Sequence, residues 1–218
     1  MLRNARFTVD SARRLQLLLS ERVIREDHLP DPIKYVAGVD VAYTERRSIG
    51  AVAVFDYDSM RLVEKKTSCQ TTPFPYIPTF LSFRELPPAI LAIRKLDKKP
   101  DVFLVDGHGL AHPRRLGFAS HLGLVLDAPT IGVAKSLLCG EVKDCGSDVW
   151  KPLVHEREII GAALFTRPQS KPLYLSVGHK VSLETAIKIV LHCTRRYRVP
   201  EPLREAHITA ETKKKHQT

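Results

Sequence analysis

The chain has 218 residues, of which 44% are hydrophobic and 27% are charged. These values are ordinary for a folded globular protein and exclude a disordered chain as the default expectation. Lys and Arg number 34 against 24 Asp and Glu, which gives a formal net charge of +10. A basic protein attracts polyanions, but net charge reports on association and not on fold. Charge alone therefore leaves nucleic-acid binding as one of two open alternatives, the other being a basic protein without such a partner.

The cysteines and the hydropathy pattern narrow the class of protein. The four cysteines form no CxxC pair and share no spacing with a histidine cluster, which argues against a zinc site or a disulfide framework. No window approaches the run of about 20 apolar residues that a membrane span needs. We therefore expect a protein of the cytoplasm, or of the nucleus if the source has one, with free thiols and no membrane partner.

Hydrophobic periodicity predicts a single α/β domain over residues 1–218. An amphipathic helix is predicted at 10–24, with Asp10 or Ser11 as its cap. Apolar, β-branched runs at 35–43, 50–57 and 62–67 follow, separated by short polar links. That pattern predicts an antiparallel meander of three strands.

Helices and strands then alternate to the end of the chain. After a proline-rich turn at 73–78, a helix is predicted over 80–96, with a kink or a new helix start at Pro87 and Pro88. The segment 141–148 is predicted as a loop or insertion, and the basic tail from about residue 212 as flexible. The remaining predicted strands are 101–105, 129–133, 159–165 and 173–177, and the remaining helices are 116–126, 182–193 and 201–213.

Two aspartates occupy unusual places in this pattern. Asp40 interrupts an apolar strand, and Asp106 ends the apolar run 102–105. A buried carboxylate is costly unless it is paired or binds a cation. If their strands are parallel neighbours, both carboxylates lie where ligands of open α/β sheets bind, at the carboxyl ends of strands. Such a pair suits Mg²⁺, and metal ions there can activate water and orient a scissile phosphate.

Further polar residues follow at comparable places. Glu85, on the helix after the meander, is a candidate third carboxylate, and Lys135 follows the strand 129–133. His207, on the last helix, is a candidate for proton handling. The loop after Asp106 contains a set of side chains suited to phosphate contacts. These side chains are His112, Arg114 and Arg115.

Each of these residues also has an ordinary structural explanation. Asp40 could face solvent at a bulge, and Asp106 could sit in a β-turn with Gly107. Glu85 and Lys135 could be exposed surface residues. The residues by themselves leave these alternatives open, while their combination with the basic charge and the strand order favours a metal-dependent attack on a phosphodiester.

Long motifs in a fixed order run through the chain. They are VAGVD at 36–40, PYIP at 75–78, FRE at 83–85, VDGHG at 105–109, AHPRRLG at 111–117, ASH at 119–121, PTIGVAK at 129–135, GH at 178–179 and PEPLR at 200–204. Together they resemble the endonuclease V family over about residues 10–210. The resemblance implies an RNase H-like fold, in which the central sheet is mixed. An antiparallel three-strand meander is followed by parallel strands, and helices flank the sheet.

The resemblance implies a specific reaction. Members of that family cut one strand near a deaminated purine, chiefly inosine, at the second phosphodiester on its 3′ side. They leave 3′-hydroxyl and 5′-phosphate ends and use Mg²⁺, with Mn²⁺ as a substitute. By resemblance, Asp40 and Asp106 bind the metal, Glu85 acts through metal-bound water, and Lys135 and His207 complete the catalytic set.

The turn Pro75, Tyr76, Ile77 and Pro78 resembles the strand-separating wedge of the family, with Tyr76 at its tip. A base inside the stack cannot be inspected on its Watson–Crick edge, so it must be extruded at a cost of a few kcal/mol. An aromatic ring held on a proline-restricted turn can fill the gap at a low entropy cost. The alternative is that Tyr76 packs on the sheet.

The resemblance also implies a base pocket beside the wedge, lined by backbone groups near Thr79, Leu81, Gly107 and Phe118. Such groups can distinguish hypoxanthine, whose O6 accepts and whose N1–H donates, from adenine, which reverses both. Bacterial members of the family have glycine at the position of Thr79. This sequence therefore departs from the family pattern inside the predicted pocket.

Two alternatives to a DNA-repair endonuclease stay open. The first is an endoribonuclease that cuts inosine-containing RNA, since only a contact to the 2′-hydroxyl would decide the sugar. The second is a catalytically silent binder of damaged nucleic acid, against which the joint presence of Asp40, Glu85 and Asp106 argues. We expect a monomer that binds double- or single-stranded DNA containing inosine.

Overall fold

The computed structural model describes residues 8–72 and 74–216. In this part of the chain, every strand belongs to one mixed sheet. The strands are β1 Tyr35–Tyr43, β2 Arg47–Asp56, β3 Leu62–Thr71, β4 Val102–Asp106, β5 Thr130–Ala134, β6 Glu141–Val142, β7 Trp150–His155, β8 Glu158–Leu164 and β9 Leu173–His179. Their order across the sheet is β3-β2-β1-β4-β5-β9-β8-β7-β6.

The first half of the sheet has the predicted arrangement. Strands β1, β2 and β3 pair antiparallel as a meander. Strand β4 then pairs parallel with β1, and β5 pairs parallel with β4. The RNase H-like mixed sheet predicted from the sequence is therefore confirmed. Beyond β5 the sheet continues antiparallel through β9, β8, β7 and β6, as a second meander that the sequence patterns did not indicate.

Helices cover both faces of the sheet. They are α1 Val9–Ser20, α2 Leu81–Ile93, α3 Phe118–Leu126, α4 Leu183–His192 and α5 Glu201–Lys215. Side chains of α4 and α5 pack with one set of strand residues, whereas those of α2 and α3 pack with the set that points the other way. Because successive strand residues face opposite sides, β1 and β4 are buried on both faces and are therefore almost continuously apolar. None of the described helices is both long and apolar enough to span a bilayer.

Two glycines allow the helices to approach the sheet closely. A Cβ atom at Gly38 in β1 would lie 2.0 Å from the carbonyl oxygen of Pro202 in α5, and one at Gly50 in β2 would lie 2.1 Å from that of Pro88 in α2. Both distances are impossible for a real side chain, so glycine is required at each point. The two contacts bring α5 and α2, which carry His207 and Glu85, onto the strands beside Asp40.

Several predicted boundaries differ from the structure. The cap of α1 is Thr8 instead of Asp10 or Ser11, with a reciprocal capping box to Ser11. Helix α2 continues from Leu81 to Ile93 through Pro87 and Pro88, so the predicted new helix start is wrong. The carbonyl of Pro88 accepts a hydrogen bond from the Ser68 hydroxyl at 2.6 Å, and burial of the proline against the sheet offsets the missing helical donors.

Two further segments are more ordered than predicted. The segment 141–148 begins with β6, which pairs with β7, a strand that was not predicted. The basic segment from about residue 212 is helical in α5 as far as Lys215. Residues 217 and 218, which the predicted tail includes, lie outside the described residues, as does Pro73 of the proline-rich turn.

Candidate active site

Asp40 and Asp106 lie side by side at the carboxyl edge of β1 and β4. The parallel register pairs Val39 with Val105, so the two aspartates occupy the next positions on adjacent strands. Ligand atoms of Asp40, Asp106 and His207 all lie within 4.8 Å of one another. The structure thus brings together residues that are far apart in the sequence, as the sequence predicted for the two aspartates.

The surroundings of Asp40 concentrate negative charge. Burial raises the pKa of the Asp40 carboxyl, and the Asp106 carboxylate adds to the rise. Hydrogen bonds to Asp40 from His207 Nδ1 at 2.8 Å and from the Val41 amide at 2.8 Å oppose it. Two carboxylates set against each other in this way favour the approach of a cation.

Glu85 joins the two aspartates from the first turns of α2. Burial raises the pKa of Glu85 to about 8, and the carboxylates of Asp40 and Asp106 contribute next. An acid with its pKa so far above 4.5 is destabilised in its charged form, which is typical of a functional site. The predicted third carboxylate is therefore close enough to the two aspartates to interact with their charges.

Lys135, which directly follows β5, reaches the same edge of the sheet. Its Nζ lies 2.5 Å from Asp106 Oδ2, and its side chain is 44% exposed. Lys135 is thus neither buried nor an isolated surface lysine. It presents a positive charge beside the carboxylates while staying accessible to a ligand.

The donor set fits a hard divalent cation. Mg²⁺ and Mn²⁺ prefer carboxylate oxygens, and imidazole is acceptable to Mn²⁺. Asp40 and Asp106 supply the carboxylates, the imidazole of His207 lies beside them, and mutual repulsion among the acids is the charge pattern that a cation relieves. The residues present therefore suit a divalent metal ion.

A cavity of about 220 Å³ opens beside the carboxylates. All four residues predicted for the base pocket line it, and so does Glu85. The predicted four are Thr79, Leu81, Gly107 and Phe118. The sequence patterns missed other lining residues: His108, and the segment 136–138, which directly follows Lys135 and carries the half-exposed Leu137 and Leu138. That adjacency to Lys135 is the signal that could have found them.

The turn Pro75, Tyr76, Ile77 and Pro78 connects β3 to α2 at this edge. Tyr76 is 67% exposed, so it does not pack on the sheet, and that alternative is wrong. The turn ends at Thr79, whose φ of +66° lies in the left-handed region. A β-branched residue is strained there, whereas glycine is not.

A network of buried side chains holds the backbone of Thr79. Its carbonyl accepts hydrogen bonds from Gln16 Nε2 at 2.9 Å, from Arg114 Nη2 at 2.9 Å and from His112 Nε2 at 3.1 Å. The Thr79 hydroxyl also accepts from Arg114 at 2.5 Å. These contacts offset the backbone strain and fix the junction between the turn and the cavity. Gln16, which is fully buried, was not singled out from the sequence.

The three side chains predicted to contact phosphate make contacts within the chain. Burial lowers the pKa of His112 to about 4, and the neighbouring Arg114 lowers it further. Arg114 donates to Gln16 and Thr79, and Arg115 donates to Glu158 at 2.8 Å. Their contact with phosphate stays a prediction, and it requires the two arginines to share or exchange these partners.

Tyr43 and Arg84 form a second layer around the carboxylates that was not predicted. The Arg84 guanidinium lies over the Tyr43 ring, 4.2 Å from its centroid. Burial raises the pKa of Tyr43, and the Glu85 carboxylate is the next contributor, which places this pair next to the acidic cluster. The almost continuously apolar sequence of β1 gave no reason to separate Tyr43 from the other residues of that strand.

Comparison with known proteins identifies the family. The family profile described as Endonuclease V matches residues 18–208. Endonuclease V from Nostoc sp. is 50% identical over 203 residues, which cover 91% of this chain and 92% of that protein. The chain belongs to the endonuclease V family. It is accordingly a nuclease of a metal-dependent family, and Asp40, Asp106 and His207 form a group whose ligand atoms are suited to a metal ion.

Solved structures of the family share the whole fold of this endonuclease V. The Streptomyces avermitilis enzyme superposes with a TM-score of 0.90 at 38% identity, covering 96% of this chain and 94% of that one. Endonuclease V of Ciona intestinalis superposes with a TM-score of 0.85 at 32% identity, covering 96% of this chain and 99% of that one. That structure is a complex with a 24mer DNA containing an inosine followed by a ribo-adenosine.

Proposed function

We propose that this protein recognises inosine in DNA. It then hydrolyses the second phosphodiester on the 3′ side and leaves 3′-hydroxyl and 5′-phosphate ends. The observation that carries the proposal is the shared wall between the cavity and the acidic cluster, because Glu85 belongs to both. A base held in the cavity would leave the phosphates of its own strand next to Asp40 and Asp106.

We propose Mg²⁺ as the ion in the cell, with Mn²⁺ as a substitute. Asp40 and Asp106 would hold it directly, and Glu85 would act through water. A divalent cation bound there supplies Lewis-acid stabilisation of the charge that develops on the phosphate. The imidazole of His207 supports the site by orienting the Asp40 carboxylate through the 2.8 Å hydrogen bond.

The remaining catalytic roles follow from charge and position. Glu85, whose pKa is about 8 without a cation, can hold or release a proton on its carboxyl near neutral pH and can orient a water toward the phosphate. Lys135 is half-exposed beside Asp106 and can place its ammonium group against a phosphate oxygen. Neither role requires the fold to move.

The wedge and the cavity have different roles in recognition. The exposed ring of Tyr76 can occupy the space left by an extruded base, and the anchored backbone at Thr79 keeps the turn in place. Backbone groups around Thr79, Leu81, Gly107 and Phe118 can read the O6 and N1–H of hypoxanthine. The hydrogen bonds at Thr79 engage its carbonyl, so its amide is the group expected to face the base.

The test is strand cleavage of two matched oligonucleotides, one DNA and one RNA, each with a single inosine. Each is incubated with Mg²⁺ and, separately, with EDTA. We expect a Mg²⁺-dependent nick in the DNA at the second phosphodiester on the 3′ side of inosine, directly after its 3′ neighbour, and no cut in a matched duplex with adenosine. Rates proportional to enzyme concentration would agree with the proposed monomer.

Other outcomes would change the proposal in defined ways. Cutting of the RNA alone would assign the protein to inosine-containing transcripts, which the ribo-adenosine in the Ciona complex makes a specific second candidate. Binding of inosine DNA without any cutting would mean a silent binder and would refute the roles given to the carboxylates. The reducing cytoplasm is the proposed compartment, and the four free cysteines are in keeping with it.

A further inference from the structure

The last turn of α5 brings a cluster of lysines to the edge of the sheet that carries the active site. Helix α5 runs in the same direction as β1, as three contacts along the two elements show. Pro202 lies against Gly38, His207 donates to Asp40, and Ala210 is in the same buried cluster as Ala42. The lysines at 213–215 therefore extend past the end of β1, beyond the catalytic carboxylates.

The turn between β1 and β2 emerges at the same edge. Ala42 pairs with Ile49 and Tyr43 pairs with Ser48, so Arg46 lies at the tip just beyond them. Arg46 is exposed and stands between Glu45 and Arg47, whereas the end of α5 at 211–215 has three lysines against one glutamate. We call Arg46, Lys213 and Lys215 the basic edge.

The charges of the basic edge are available to a ligand. Lys214 forms an ion pair with Glu211 at 3.1 Å. By contrast, the side chains of Arg46, Lys213 and Lys215 have no ion-pair or hydrogen-bond partner anywhere in residues 8–72 and 74–216. A lysine that closes a helix is favoured by the helix dipole, but that effect does not require two unpaired lysines beside an acidic active site.

We propose that the basic edge binds the phosphate backbone of the nucleic acid a few nucleotides from the bond that is cut. The inference rests on the proposed function and adds to it a second contact region, separate from the wedge and the base cavity. Charge complementarity selects the occupant, because phosphates are spaced regularly along the strand that enters the active site.

Distance determines how the lysines act. At about 1.5 Å per residue, Lys213 and Lys215 lie roughly 9 and 12 Å along the helix axis beyond His207. The Debye length at physiological salt is about 8 Å, so charges this far from the scissile phosphate are largely screened from it. The lysines must therefore contact neighbouring phosphates directly, which affects binding and leaves the chemical step unchanged.

The experiment compares the salt dependence of binding for three full-length proteins: wild type, K213Q/K215Q and K98Q/K99Q. Lys98 and Lys99 are exposed in the loop that precedes β4, at the amino end of that strand and therefore at the opposite end from Asp106. Their replacement removes the same charge. Binding to an inosine-containing duplex is measured without divalent cations, so that no strand is cut. Steady-state cleavage with Mg²⁺ is measured in parallel.

We expect K213Q/K215Q to reduce the slope of log K against log salt by about 0.9 for each phosphate that its lysines no longer neutralise, while K98Q/K99Q keeps the wild-type slope. At about 0.15 M salt, binding by K213Q/K215Q should weaken about tenfold or more. Its KM should rise with kcat unchanged, and K213R/K215R should restore the wild-type slope.

The outcomes separate this inference from the proposed function. If wild type does not cut inosine DNA, the proposed function fails whatever the slopes are. If wild type cuts but K213Q/K215Q keeps the full slope, or if K98Q/K99Q reduces it as much, the basic edge is not a phosphate-binding surface. A lower kcat in K213Q/K215Q at saturating substrate would also overturn the proposal, since it would mean that the lysines act on the chemistry.

Discussion

Two glutamates on neighbouring elements show opposite responses to their surroundings. Glu64 on β3 accepts hydrogen bonds from the backbone amides of Asp97 at 3.0 Å and Lys98 at 3.0 Å, and Lys66 lies 3.1 Å away. Although burial works in the other direction, these donors hold the pKa of Glu64 at about 2. Burial and the acids Asp40 and Asp106 instead raise the pKa of Glu85 to about 8.

The difference separates a structural acid from a functional one. Glu64 is surrounded by donors that its charged form satisfies, so its ionisation stabilises the loop after α2. Glu85 faces groups of its own sign, so its ionisation opposes folding until a cation arrives. A protein keeps such an arrangement only where function requires it, because the same residues could otherwise be replaced at a gain in stability.

The largest expected effect comes from Asp106→Asn, which keeps the side-chain shape but removes one charge from the acidic cluster. We expect cleavage of inosine DNA to fall by about a thousandfold or more, because a metal site loses several kcal/mol of charge stabilisation with one of its carboxylates. The rate of nicking with Mg²⁺ measures this. Cleavage within tenfold of wild type would remove Asp106 from the site.

Glu85→Gln should also abolish cleavage, but it should stabilise the fold. Between 4.5 and about 8 the folded chain keeps a proton on Glu85 that the unfolded chain has lost, so stability falls as the pH rises through that window. Glutamine removes this dependence and should raise the free energy of unfolding by about 2 kcal/mol at neutral pH, allowing for partial exposure.

Denaturant unfolding in EDTA at pH 7 and pH 4 measures the stability of the Glu85→Gln variant against wild type. At pH 4 both states of the wild type hold the proton, so the gain should vanish. An equal gain at both pH values would show that packing, and not repulsion among the acids, separates the two proteins.

Gly38→Ala should lower both stability and cleavage by displacing the helix that carries His207. Its Cβ would lie 2.0 Å from the Pro202 carbonyl, so α5 must shift away from β1 and take His207 with it. Overpacking of this kind costs about 1–3 kcal/mol. Thermal unfolding and cleavage should both report it, with activity reduced more than the unfolded fraction explains. Unchanged stability would mean that α5 can move without cost and that its close approach to β1 is not required.

Glu64→Gln should have the smallest effect and serves as the control for Glu85→Gln. It removes the charge that the amides of Asp97 and Lys98 satisfy, and it should cost about 1 kcal/mol because the site is partly open to solvent. Cleavage should stay at the wild-type rate. Since the folded pKa of Glu64 is depressed, the stability that its charge provides should be present above pH 4.5 and disappear as the pH falls toward 2.

Local patterns predicted the half of the fold that contains the carboxylates. Strand β1 has the predicted bounds, and the parallel pairing of β1 with β4 places Asp40 beside Asp106 as expected. Such strands are buried on both faces, so they are apolar throughout and an acid within them stands out. The pattern made Glu85, Lys135 and His207 candidates and no more, because a lone polar residue on a helix or after a strand has ordinary explanations. Only the resemblance to a family implied their roles.

The parts that could not be predicted depend on distant contacts. Strand β7 contains Pro152, which weakens a strand prediction although the strand lies near the edge of the sheet. Gln16 looks like a polar residue of an amphipathic helix, yet it is fully buried and binds the carbonyls of Thr79 and Leu116, 63 and 100 residues away. Nothing in the sequence of the lysines at 213–215 indicates that α5 runs in the same direction as β1 and ends beyond it.

The hydrogen bond between His207 and Asp40 joins residues that are 167 positions apart. Translation proceeds from the N-terminus, so β1 with Asp40 leaves the ribosome long before α5. Because His207 lies on the last helix of the site, Asp40 gains this hydrogen-bond partner only when α5 docks on β1, after Asp40, Glu85 and Asp106 have all been synthesised. The orientation of the Asp40 carboxylate is therefore fixed late in the folding of the chain.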